Sequence, residues 1–103
     1  MSPEKQRIAI AEACGWQDCH ATGGLPCGIA PSETQHRQVP DYPNDLNAMH
    51  KALGHCLGDC EIKWHAYRIN LGDIIEPHRH ILHVTAAQQA EALLRMLGKW
   101  EDA

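Results

Sequence analysis

The stretch Glu61-Ile62-Lys63-Trp64-His65-Ala66-Tyr67-Arg68-Ile69-Asn70-Leu71-Gly72-Asp73 carries the reading that decides the fold class. Its pattern has a period of two. Ile62, Trp64, Ala66 and Arg68 fall on one side of an extended chain, and Lys63, His65, Tyr67 and Ile69 on the other. Leu71-Gly72-Asp73 then reads as a turn, and a second strand is expected within Arg79–Val84. Pro77 is disfavoured in a central strand. The expectation is an antiparallel hairpin with a wide loop, which gives the chain its sheet.

On the C-terminal side, Thr85-Ala86-Ala87-Gln88 forms a capping box. The Thr85 hydroxyl accepts from the amide at the third helical position and Gln88 reaches back. Ala86, Ala90, Leu93, Leu94 and Leu97 make the buried stripe of that helix, Gly98 stops it, and Trp100 is expected to fold back on the core.

On the N-terminal side, Leu46, Met49, His50, Leu53 and Leu57 repeat with helical spacing. This predicts a helix that begins between Asp41 and Asn44, is capped by Asn44 or Asp41 with Asp45 in its first turn, and ends at Gly58. From Trp16 to Asp41 the glycines and prolines at 23, 24, 26, 28, 31 and 40 break any period, so a long loop (16–41) is expected. About 25 structureless residues is long for a compact domain, which makes the loop either functional or poorly ordered, unless a short strand or Trp16 pins part of it. The chain opens on a helix with Ser2 as cap, Pro3 at the first position and Gly15 as stop. The order is helix, loop, helix, strand, strand, helix, read as one α+β domain over 1–103: a small antiparallel sheet layered with about three helices.

Composition narrows the classes further. The chain has 103 residues, and that length excludes a dinucleotide-binding doubly wound domain, a TIM barrel and a kinase. No apolar run is long enough for a membrane span. A formal charge of −4 argues against a dedicated duplex-DNA binder. The eight histidines leave that charge sensitive to pH near 6, and the absence of Phe leaves Leu, Ile, Ala, Met and Trp to fill the core. Of five cysteines one must stay unpaired in a monomer. The opening residues lack the apolar core of a secretory signal, so reduced thiols in the cytoplasm are expected.

Three blocks occur in order: Ala11–Trp16 (AEACGW), Pro40–His50 (PDYPNDLNAMH) and Thr85–Trp100 (TAAQQAEALLRMLGKW). Together they resemble the phage "ABA sandwich" domain family, small proteins encoded by phages and prophages. The resemblance covers most of the chain and is weakest over Leu57–Val84. It implies a sheet layered with helices and a phage or prophage origin, hence the host cytoplasm. It implies no activity, and its blocks hold core positions and helix stops.

Four constellations offer chemistry. Cys14, Cys19, His20 and Cys27 are suitable donors for zinc, without the tight spacing that lets one turn deliver two thiolates. Cys56 and Cys60 lie four apart beside His55. The His78-x-His80-x2-His83 run, with Gly72, reproduces the opening of a cupin metal motif, but Val84 and Thr85 stand where its acid belongs. No nucleophile motif, phosphate loop or zinc-protease motif occurs, so no catalytic residue is assigned and no cofactor is expected. The hairpin offers a ligand site: Tyr67 to stack, and Arg68, His78, Arg79 and His80 to donate to an anion.

The expected function is therefore that of a non-catalytic phage or prophage accessory protein. It would bind, and sequester, a small anionic nucleotide-like ligand such as a host defence signal. Contact with a host or phage protein is the second reading, a zinc-supported module the third, and a homo-oligomer stays open.

Overall fold

The computed structural model describes residues 1–75 and 84–102, apart from the side chain of Thr22. Among them are four α-helices, α1 (Pro3–Ala13), α2 (Leu46–Leu57), α3 (Glu61–Ile74) and α4 (Ala86–Met96). Three strands, β1 (Gln17–Thr22), β2 (Leu25–Ile29) and β3 (His36–Gln38), form an antiparallel sheet in the order β1-β2-β3. The fold is α+β. The sheet, however, lies in the segment expected to be loop, and the segment expected to open the hairpin is α3.

The sheet arises from glycine geometry. Gly23 and Gly24 have φ of +60° and +83°, and they join Thr22 to its partner Leu25. Two consecutive positive φ values make the tight turn whose twist matches paired strands, and a glycine pair adopts it without strain. The glycines that break a helical period therefore form a hairpin. Pro26 sits inside β2 and contributes its carbonyl, which accepts from the Val39 amide at 2.9 Å.

α3 wins over a strand because a second, longer period runs through the same residues. Tyr67 and Leu71 are buried, with Trp64, Ile74 and Ile75 packed beside them. That is one helical stripe. It continues where the alternation fails, at Asn70, Gly72 and Asp73. Ile62, which the strand reading puts on the apolar side, is 80% exposed. The helix also satisfies its own backbone, and Trp64 Nε1 donates to the Gly58 carbonyl at 2.8 Å, anchoring its first turn. The second expected strand, within Arg79–Val84, falls largely outside the described residues.

The remaining helices follow the sequence more closely. In α4 both bonds of the capping box form, and Ala86, Ala90, Leu93 and Leu94 are buried while Leu97 is half-buried. Its end is a Schellman motif: the Lys99 amide donates to the Leu94 carbonyl at 2.8 Å and that of Gly98 to Arg95 at 3.1 Å. Ser2 caps α1 as expected. α2 starts later than expected, because Pro43 takes part in a 3-10 turn (Tyr42–Asn44) and the Asp41 carboxylate is held by Asn44 Nδ2. Asp45 caps it instead, accepting from the Asn47 and Ala48 amides at 3.0 and 3.2 Å. Met49, Ala52, Leu53 and Leu57 are its buried face, and Leu46 and His50 are exposed.

One core runs through all layers, from Ile10 of α1 through Val39 and Tyr42 to Met49, Leu71 and Leu93. Arg7 is buried with it. Its guanidinium donates to the carbonyls of Val39 and Pro40 and ties α1 to the end of the sheet.

Candidate functional site

α1 ends as α4 does. The Trp16 amide donates to the Ala11 carbonyl and that of Gly15 to Glu12, both at 3.0 Å. This Schellman cap fixes where the chain leaves the helix and sets Trp16 against the core. Beside it opens a cleft of about 490 Å³, bounded by the end of α1, by the segment that runs from β2 to the 3-10 turn, and by α2.

The two walls differ in origin and agree in charge. From β3, Arg37 lays its guanidinium over Trp16, 5.2 Å from the ring centroid, with its Nε 3.0 Å from the Glu33 carboxylate. From α2, Lys51 and His55 line the opposite side at i, i+4 spacing, together with Ala48 and Ala52. Among the described residues the one carboxylate lining the cleft, Asp45, is already engaged with the amides that begin α2. Arginine over indole, lysine and histidine around an apolar floor make a cavity suited to a planar anion.

Cys14, on the cleft's lining, belongs to a thiol pair. Cys14 Sγ lies 3.7 Å from Cys56 Sγ, the two thiols being reduced and 42 positions apart in the chain. Cys14 is held protonated, far above the ordinary thiol range, by its hydrogen bond to Cys56, by burial and by the charge Cys56 carries when ionised; the nearby Tyr42 hydroxyl acts weakly the other way. The same hydrogen bond draws Cys56 below the ordinary range, burial opposes it, and Lys63 assists. Burial, followed by the neighbouring thiols, raises the Tyr42 phenol.

The expected hairpin site is not assembled. Tyr67 and Arg68 lie on α3. Tyr67 is buried, with its ring edge-on to Trp64 at 6.0 Å and its phenol pushed up to about 12 by burial. Its face is closed by the core, while Arg68 is exposed. His78, Arg79 and His80 lie outside the described residues. The expected zinc donors also separate. Cys14 is in the core, Cys19 is half-buried and reaches the Gln17 carbonyl, and His20 and Cys27 are cross-strand partners. Cys60 is exposed at the cap of α3.

Sequence reasoning missed Arg37, Lys51 and Tyr42. The i, i+4 pair Lys51/His55 was visible as one edge of a helix, but nothing in the sequence marks what stands opposite. No helix among the described residues is long and apolar enough to cross a membrane. Comparison of the chain with protein-family models, curated proteins and solved structures finds no match.

Proposed function

We propose that the chain is a binding protein without catalytic turnover, and that its cleft takes a small anionic ligand with a planar group, of the nucleotide class. The observation that carries this is Arg37 over Trp16 in the same cleft as Lys51 and His55. The Arg37 Nε is paired with Glu33, so it is the terminal N–H groups of the stacked guanidinium that would meet a phosphate, and a lysine across the cleft adds a second charge to the same anion. The ligand class is the one expected from the sequence; the residues are different. The resemblance to phage sandwich domains supports an accessory role in a phage or prophage, with sequestration of a host signal as the use of such binding.

Calorimetric titration with mono-, di- and cyclic nucleotides tests it. At least one member should bind, more weakly as salt rises. Arg37→Ala and Lys51→Ala should each weaken it about tenfold or more, the loss of a charge-assisted contact, while Arg68→Ala leaves it unchanged. Absence of binding across the panel, or binding indifferent to Arg37 and Lys51, refutes the assignment.

A specific observation favours the protein-partner reading as second. Ile62 and Ile69 of α3 are 80% and 53% exposed, and their i, i+7 spacing puts them on one helical face. A pair of exposed isoleucines in line is the kind of surface a partner covers.

A further inference from the structure

Away from the cleft, β1 is irregular. Gln17 pairs with Ile29 and His20 with Cys27, so β1 holds one more residue than β2 across that interval. Asp18 and Cys19 together oppose Gly28, and Asp18 takes a left-handed φ of 50°. This is a β-bulge. Gly28 makes room for it: a Cβ there would stand 2.8 Å from Cys19 Sγ and 3.3 Å from the Gln17 carbonyl oxygen. Aspartate tolerates the left-handed region better than most residues, but it is still disfavoured there.

The bulge brings Asp18 of β1 to an exposed spot shared with His20 of β1 and His36 of β3. Asp18 Oδ2 lies 2.7 Å from His36 Nε2 of β3, and the His20 and His36 rings stand edge to face at 5.5 Å. Donor atoms of Asp18, His20 and His36 all fall within 4.8 Å of one another. A second arrangement points the same way. His20 Nδ1 lies 3.1 Å from the Asp18 carbonyl oxygen, which can only accept. Nδ1 therefore carries the proton and Nε2 keeps its lone pair. A backbone carbonyl holding the far nitrogen is how proteins fix the tautomer of a metal-binding histidine.

We propose that Asp18, His20 and His36 bind a divalent transition-metal ion, zinc or one of its close analogues. Two imidazoles and a carboxylate suit that class, and calcium and magnesium prefer all-oxygen shells. Bonds of about 2.0–2.2 Å in tetrahedral geometry put donor atoms about 3.3–3.6 Å apart. His36 and Asp18 need to open by about 0.6–0.9 Å from their present 2.7 Å contact, and the wider pairs of the cluster, within 4.8 Å, to close to that spacing. Their side chains are 43% and 68% exposed, which leaves room for the movement. The ion takes the place of the His36 Nε2 proton: a doubly protonated ring releases one proton to solvent, and a neutral ring exchanges its Nε2–H for Nδ1–H through water and binds as the neutral imidazole. Three protein donors leave a fourth position open to water or to a donor from another molecule.

An ordinary surface ion pair explains less. An exposed His–Asp contact is worth little and needs no bulge, no left-handed aspartate and no second histidine with an assigned tautomer. The proposal does not rest on the cleft, since none of these residues lines it.

The test uses the full chain, reduced and metal-free. Zinc is added in a calorimeter, and cobalt(II) is followed by visible absorption. One equivalent should bind, with a cobalt spectrum of tetrahedral intensity. His20→Ala and His36→Ala should each weaken binding at least tenfold, and Asp18→Asn should weaken it with the melting curve unchanged. Because the chain has other donors, a His78→Ala/His80→Ala/His83→Ala variant and a Cys14→Ser/Cys56→Ser variant are titrated in parallel, and each should bind as the wild type does. Failure of the wild type to bind zinc at micromolar concentration overturns the proposal. So does binding that survives His20→Ala and His36→Ala, or that is lost in the parallel variants.

Discussion

Replacing Leu71 by Ala and, separately, Ile62 by Ala tests the helix over 61–74 against the alternation that its sequence also carries. Leu71 is 4% exposed and Ile62 80% exposed. Leu→Ala removes three carbons, and at about 0.8 kcal/mol per buried methylene the transfer loss is about 2.4 kcal/mol. Whatever cavity remains adds to this, within the range of about 2–5 kcal/mol for such changes. For a domain of this size each kcal/mol lowers the midpoint by about 4–8 °C, so Leu71→Ala should lower Tm by about 10–20 °C or more. Ile62→Ala removes little buried surface and replaces a β-branched residue with the best helix former, so its effect should lie within about 0.5 kcal/mol, stabilising if anything. Thermal and urea unfolding followed by far-ultraviolet circular dichroism gives both values. The reverse order, with Ile62→Ala costing about 2 kcal/mol and Leu71→Ala near neutral, would refute the helical assignment. In that case Ile62, Trp64 and Ala66 form the buried side of a strand.

Two further outcomes are expected. Thr85→Ala removes the hydroxyl that accepts from the Gln88 amide at 3.1 Å, and should cost about 1 kcal/mol by denaturant titration; a loss below about 0.3 kcal/mol would mean that the capping box is not formed in solution. Tyr67 is an acid whose folded pKa is raised from 10.0 to about 12 by burial, so folding favours its neutral form. Its contribution is complete below pH 10 and lost as pH rises towards 12, about 2–3 kcal/mol in all. Tyr67→Phe should flatten that part of the alkaline loss of stability measured by urea titration at stepped pH, and an unchanged slope would place Tyr67 outside the core.

What could be read from the sequence divides by the range of the interactions. The caps at Ser2 and Thr85, the stops at Gly15 and Gly98, most of the buried face of α4, and Met49, Leu53 and Leu57 of α2 depend on neighbours within a few residues and were legible, whereas Leu46 and His50, expected on the same face of α2, are exposed. Two overlapping periods run through Trp64–Leu71, and the shorter-range one is the plainer in the sequence. The helical one is decided by Tyr67 and Leu71, which gain only when the core residues of α4 are there to meet them. In the 16–41 segment the signal was present and misread. Gly23-Gly24 breaks a helix and makes a hairpin, and the two effects have one cause, the positive φ that glycine allows.

The sites were legible in residue type and not in grouping. Trp16 and the segment as far as Pro40 stood out as functional or unordered, and they form one wall of the cleft; Lys51 and His55, from another helix, make the other. His20 was singled out as a donor, among cysteines that the fold sends elsewhere. Its partners, Asp18 and His36, sit on strands that pair through β2, so their proximity needs both the glycine turn and the bulge. Gly28 connects them: without a side chain it admits Cys19, the extra residue turns Asp18 back towards β3, and His36 lies where that carboxylate arrives. No periodicity reports such a chain of consequences, because each link depends on space between strands rather than on spacing along one of them.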